Sequence, residues 1–263
     1  MIVEEITATW CPTCAEIDPE LKQVADSHGS RIGLIALHPS DGEDAFQPAA
    51  AQSRIQRLQM IQPNIALSTP TFIVEGGTAR VGYEAWKDVQ RDILSTEVER
   101  QIVSTLEFQV ETISSGFKAS ISNLSLIQEN GTQLTFMLLQ HEKEVPKGYV
   151  NPGEPTRDRV LIALAQCDIG GRNITTNIGF TKADVGPTCS NFSVEFEDLT
   201  SWSLILVHEQ TLESLHLGES PISLGATELA VRSRATQSHE STASTFLLWF
   251  VFILAGATLL RKK

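Results

Sequence analysis

Cysteine is scarce in this sequence, with four residues in 263: Cys11, Cys14, Cys167 and Cys189. That excludes a small scaffold held together by many disulfides. Positive charge is also in deficit. Lys and Arg number 20 against 32 Asp and Glu, for a net charge of −12. No basic face is available to neutralise phosphates, so no nucleic-acid partner is expected. The acid excess favours solubility. Only three methionines are present, which gives a Met-assisted copper site little support. There is one Cys-x-x-Cys and no second, whereas a structural zinc site takes four ligands. No internal repeat is visible.

Long apolar runs are absent except at one end. Ser241 to Leu260 is uncharged, and at 1.5 Å per residue it reaches ~30 Å, about one hydrocarbon core. We expect a transmembrane helix over 243–260, with a basic cytoplasmic tail at 261–263. Positive flanks stay in the cytoplasm, which places the bulk of the chain outside. Met1 leads straight into Ile-Val-Glu-Glu-Ile, with no basic and apolar leader. The expected topology is a single-pass membrane protein with its domains outside the cytoplasm, its export signal absent from this sequence. A tail-anchored cytosolic protein is the alternative.

Residues 1–103 alternate short apolar runs with helical periodicity in the order β-α-β-α-β-β-α, an α/β domain with helices on both faces. Helices are expected at 14–27, 44–60 and 84–103, and a strand at 71–74. From about residue 106 to 218 the helical period gives way to short strand-like runs, near 117–121, 133–140, 159–165, 192–196 and 203–208. Polar turns separate them, which reads as an antiparallel β-sandwich domain. Residues 219–242, rich in Ser, Thr and Ala, read as a flexible stalk.

Chemistry concentrates at Trp10-Cys11-Pro12-Thr13-Cys14, between an expected strand and an expected helix. A cysteine at a helix start meets free backbone N–H groups and the positive end of the dipole, which favour thiolate and lower its pKa below ~8.5. Pro12 suits the first turn, where its missing N–H costs nothing. Cys14 is one turn on and can close a disulfide onto Cys11. An attacking thiolate with an internal resolving thiol is the minimum equipment for disulfide exchange. A metal site and an inert pair are the bland alternatives. Thr69-Pro70 opens the strand at 71–74. A cis Pro70 there would leave the Thr69 backbone free to pair with an extended substrate, although a trans proline is equally tolerated at a strand start.

These residues resemble the thioredoxin superfamily over roughly 1–103: Trp-Cys-x-x-Cys, Thr-Pro before a β-hairpin, and a terminal helix. The resemblance implies Cys11 as nucleophile, Cys14 as resolving thiol, and Trp10, Pro12, Thr69 and Pro70 as the substrate-binding rim. It also implies a buried acid six residues before the nucleophile, here Glu5, as proton acceptor for the resolving thiol. Leu37-His-Pro-Ser-Asp41 and Asp158-Arg-Val-Leu-Ile162 carry a weaker likeness to surface proteins in which a thioredoxin-like unit precedes a β-sandwich. His38 reads as a strand-end residue that could lie near the dithiol.

In the second half, a Cys167–Cys189 disulfide would close a loop of 22 residues and need an oxidising compartment. Asn-x-Ser/Thr triplets at Asn123, Asn130, Asn173 and Asn191 are glycosylation candidates, all in the second half, and point the same way. His141, His208 and His216 are scattered and form no visible site. The expected function is a membrane-anchored thiol–disulfide oxidoreductase acting on exported proteins. Its partners would be protein thiols or disulfides, a membrane or soluble redox partner, and the bilayer through the terminal helix. No cofactor or metal is implied. The rivals are a non-catalytic cell-surface adhesion or assembly protein that uses the first domain as a scaffold, and a soft-metal chaperone.

Overall fold

The structure is a computed structural model that describes residues 1–232 apart from 64, 66, 67 and 101. The expected transmembrane helix, the basic tail and the stalk beyond 232 lie outside the described residues. Among the described residues no helix is long and apolar enough to cross a membrane.

The first hundred residues run β1 (Ile2–Ile6), α1 (Pro12–His28), β2 (Gly33–Leu37), α2 (Ala49–Ile61), β3 (Thr71–Val74), β4 (Arg80–Val81) and α3 (Trp86–Glu99), the order read from periodicity. β1, β2 and β3 are buried along their whole length, as strands covered on both faces must be. On one face Ile17 and Leu21 of α1 and Val89 and Ile93 of α3 pack on Val3, Leu34 and Phe72. On the other face Ala51, Ile55 and Leu58 of α2 pack on Ile6, Ile35 and Leu37. α1 ends at Gly29, whose φ of 56° is one that side chains disfavour. α2 begins five residues later than its periodicity suggests, because Asp44 is drawn into buried hydrogen bonds at the neighbouring site.

The second half runs β5 (Thr105–Ile113), β6 (Gly116–Ser125), β7 (Thr132–Gln140), β8 (Lys143–Glu144), β9 (Thr156–Arg157), β10 (Val160–Asp168), β11 (Asn173–Ile178), β12 (Lys182–Asp184), β13 (Ser193–Phe196), β14 (Trp202–Gln210), α4 (Leu212–His216) and β15 (Gly225–Val231). Two sheets face one another. β12-β13-β6-β5 form one, and it shares a core with the larger sheet in which Phe192, Val194 and Phe196 meet Phe136, Leu138, Trp202 and Leu204. Cys167 and Cys189 are disulfide-bonded inside this core, with Cα atoms 6.0 Å apart.

The larger sheet does not stop at the second half. Its order is β15-β14-β7-β10-β2-β1-β3-β4, so strands of both halves form one continuous surface. The join is narrow: Val160 pairs with Ala36 in parallel, and Ala36 N donates to Arg159 O at 3.0 Å. The core beneath it is broad. Met137, Leu139, Leu161, Ile205 and Val207 belong to the same cluster as α2, β1 and β2. Polar groups bridge the halves as well. Arg54 on α2 bonds to Glu4 on β1 and to Glu209 on β14, all buried, and Arg57 lies 3.3 Å from Glu209.

Residues 225–231, expected within a loose stalk, are instead β15, paired with β14 from Trp202↔Val231 to His208↔Gly225. The composition that reads as stalk is that of an edge strand, whose outer residues are exposed.

Candidate redox site

α1 begins at Cys11-Pro12-Thr13-Cys14. Cys11 is its N-cap, with φ −80° and ψ 113°, and Pro12 occupies the first turn. The Cys11 Sγ accepts the backbone N–H of Cys14 at 3.1 Å, satisfying one of the free donors of the helix start. Cys11 and Cys14 are disulfide-bonded, with Cα atoms 5.3 Å apart. The Cys11 sulfur thus sits at the positive end of the helix dipole.

Asp44 fastens the approach to the motif. Its Oδ2 accepts from Thr9 N and from His38 Nδ1, each at 2.8 Å, and its Oδ1 accepts from Phe46 N at 2.7 Å. Burial would raise the Asp44 carboxyl, but the His38 bond and charge, with the two backbone N–H groups, hold it below its ordinary value. Trp10 Nε1 donates to Asp41 Oδ2 at 3.0 Å. His38 is thus more than a strand-end residue. It is fully buried and is tied to the chain just before Trp10 through one carboxylate oxygen.

Thr69 and Pro70 stand at the same end of the sheet. Thr71 pairs with Ile6, so the residues before it lie beside the C-terminal end of β1, from which the chain runs on to Cys11. The Thr69–Pro70 bond is cis, and Pro70 O accepts from Gly82 N at 2.9 Å.

A cavity of about 340 Å³ lies between β1, α1 and the β9–β10 corner. Glu5 lines it and is buried, with Oε1 unpartnered among the described residues. Burial, reinforced by the charge of Asp18 and opposed by Arg157, pushes the Glu5 carboxyl well above its ordinary range. Asp18 is also raised, by burial first, against the pull of Arg157 and His38. Asp18 and Arg157 were not anticipated. Asp18 was legible, since it lies four residues after Cys14 and so shares its helix face. Arg157 was not, because it comes from the other half of the chain.

Cys11 is only 2 % exposed and Cys14 1 %. Two segments flank them. The β8–β9 hairpin touches the chain on both sides of the motif: Arg157 Nη2 lies 3.4 Å from Thr9 O, and a side chain at Gly153 would collide with Ala15. The segment after β2 forms the other wall and meets the hairpin where Lys143 Nζ sits 5.3 Å from the centre of the Phe46 ring.

Among the scattered histidines, His141 joins Asp158 (Nδ1, 2.6 Å) and Ser203 (Nε2, 2.7 Å) in the order of a Ser-His-Asp array. Ser203 is fully buried on a central strand, so no substrate reaches its hydroxyl, and the array acts as a strut. His208 is buried against Ser104, and burial lowers its pKa to about 4. The four candidate glycosylation residues Asn123, Asn130, Asn173 and Asn191 are all exposed.

No family model matches this chain. No curated protein matches it. Solved structures do. HBP35 of Porphyromonas gingivalis aligns over 92 % of this chain and 79 % of its own, with a TM-score of 0.59 at 13 % identity. A structural-genomics protein of Agrobacterium tumefaciens aligns over 91 % of this chain and 97 % of its own, with a TM-score of 0.54 at 12 % identity. At these identities the likeness is one of fold.

Proposed function

We propose that this chain is a thioredoxin-like thiol–disulfide oxidoreductase acting on exported proteins, anchored in a membrane by residues 243–260 with its folded part outside. The observation that carries the redox reading is the Cys11 sulfur at the cap of a 17-residue helix, bonded to Cys14 and accepting its N–H. In the reducing direction the Cys11 thiolate attacks a substrate disulfide. One substrate sulfur joins Cys11 and the other leaves as thiolate. Cys14 gives its proton to Glu5 and attacks Cys11 Sγ, forming the internal disulfide and releasing the second substrate thiolate. Two electrons pass to the substrate. Oxidation of a substrate dithiol is the same sequence reversed. In this reading the Thr69 backbone pairs with an extended substrate segment, and Trp10 and Pro12 complete the rim. Substrate reaches Cys11 when the β8–β9 hairpin parts from Ala15.

The disulfide in the sandwich core and the four exposed Asn-x-Ser/Thr sites support an oxidising, external compartment. A second reading, favoured by the burial of Cys11, is a non-catalytic surface scaffold. Replacing Cys14 by Ser separates the two. An oxidoreductase accumulates mixed disulfides through Cys11 in cells, and the Cys11 thiol of reduced wild type titrates well below 8.5. A free-thiol value with no trapped species leaves the scaffold.

A further inference from the structure

The cavity lined by Glu5 and Asp18 is also lined by a residue from the far half of the chain, Arg157. Arg157 is buried, and its guanidinium is committed on every edge. Nη1 donates to Glu154 O at 2.6 Å, Nη2 donates to Asn151 Oδ1 at 2.6 Å and to Thr9 O at 3.4 Å, and Nε lies 3.4 Å from Asp18 Oδ2. Asp18 sits four residues after Cys14, so the two share one face of α1. Asp18 and Glu5 line the same cavity, and Glu5 Oε1 has no partner among the described residues. Arg157 is the cation in contact with Asp18, and it also ties the hairpin to the residue two before Cys11.

We propose that Arg157 is a positioning residue for the resolving step, holding Asp18 against the Glu5 cavity so that the proton released by Cys14 passes through Glu5 and Asp18 to water. This rests on the disulfide-exchange reading above. The proton balance is simple. Cys14 thiol and Glu5 carboxylate become thiolate and carboxylic acid; the thiolate displaces the substrate sulfur from Cys11; Glu5 then returns its proton outward by way of Asp18. Other charged groups also face this path. On α1, Lys22 lines the cavity one turn past Asp18, and just after β2 His38 lines it with its Nδ1 already held by Asp44. From the hairpin come Glu142 and Glu154. At the start of β10, Asp158 is engaged by His141 and Arg159, and Arg159 reaches Asp26. Arg157 is the cation in contact with Asp18, and its charge favours the ionised form of both acids.

The test uses the full chain with Arg157→Met, Arg157→Lys and Asp18→Asn. The first measurement is the Glu5 carboxyl carbon chemical shift against pH in the oxidised protein, which needs no turnover. Removing the cation moves the Glu5 midpoint up, and removing the neighbouring anion moves it down. Arg157→Lys stays near wild type. The second measurement is release of thionitrobenzoate from its adduct on Cys11 by Cys14, against pH. Its rising limb moves in the same two directions, and Asp18→Asn also slows the plateau about tenfold. A merely structural role slows all variants without moving the limb. Should Arg157→Met fail to fold, the Lys and Asn variants carry the comparison. A Glu5 midpoint unmoved by Asp18→Asn, or a moved midpoint with an unmoved limb, overturns the proposal. Wild type that never releases thionitrobenzoate refutes the redox reading itself, which the Glu5 titration alone cannot do.

Discussion

The buried Arg54 bridge offers the sharpest test of how the halves cohere. Arg54 donates from Nε to Glu4 Oε1 at 2.5 Å and from Nη1 to Glu209 Oε2 at 2.6 Å, and all three side chains are out of water. Thr135 and Gln133 complete the shell of Glu209. Burial alone would raise Glu209, but Arg54 and Arg57 outweigh it and bring its pKa from 4.5 to about 2. That difference corresponds to roughly 3 kcal/mol of stability. It is present in full above pH 4.5 and lost as pH falls toward 2. Arg54→Met removes the cation and leaves carboxylates buried with only Arg57 nearby, so the expected loss at pH 7 is about 3–5 kcal/mol. For a folded unit of this size the melting temperature should fall by roughly 10 °C. The sign of the pH dependence then reverses. Without Arg54, burial drives Glu209 upward, the folded state binds a proton more readily than the unfolded one, and acidification from pH 7 to 5 should narrow the gap to wild type. Urea unfolding followed by fluorescence, with Trp202 fully buried as reporter, measures both. A variant within 1 kcal/mol of wild type at pH 7, or one that loses further ground on acidification, would show that the bridge does not hold the halves together as described.

Four other outcomes follow from contacts described above. Asp44→Ala removes the acceptor of Thr9 N, His38 Nδ1 and Phe46 N and should cost roughly 2–4 kcal/mol; Asp44→Asn should flatten the acid limb of stability below about pH 4, because the depressed wild-type carboxyl gives its support above that pH and loses it below. Cys167→Ala with Cys189→Ala opens a 22-residue loop and should lower stability by about 3 kcal/mol in urea titrations, while the rate of Cys11–Cys14 reduction stays the same. Asn151→Ala frees Gly153 N and Arg157 Nη2 from the hairpin and should speed reduction of the Cys11–Cys14 bond by dithiothreitol about fivefold, the equivalent of one net hydrogen bond; an unchanged rate would mean that the hairpin does not control access.

Much of the fold could be read from the sequence because its drivers are local. The spacing of Ile17, Leu21 and Val24, the short apolar runs of β1 to β3, and the Cys11-Pro12 helix start are each visible in a window of a few residues. Where local signals compete with distant ones, the reading slips. Asp44 looks like a helix-opening acid, yet Thr9 and His38 claim its oxygens and push the start of α2 to Ala49. Residues 225–231 carry stalk-like composition and become β15 only because β14 offers an unpaired edge. The site divides in the same way. Cys11, Cys14 and Glu5 follow from a motif and a fixed offset. Arg157 reaches Asp18 across 139 positions, a pairing that no local pattern encodes.

The single rung Val160↔Ala36 joins a wide common core, and this bears on any attempt to study the Cys11–Cys14 motif in isolation. A fragment ending near residue 103 would bare β2 as a raw parallel edge, expose Ile35, Leu37 and Ile55, and orphan Arg54 from Glu209. Such a fragment is built to aggregate rather than to become a miniature reductase. Limited proteolysis should therefore clip the hairpin at Tyr149 or Val150, which are exposed, well before it frees either half.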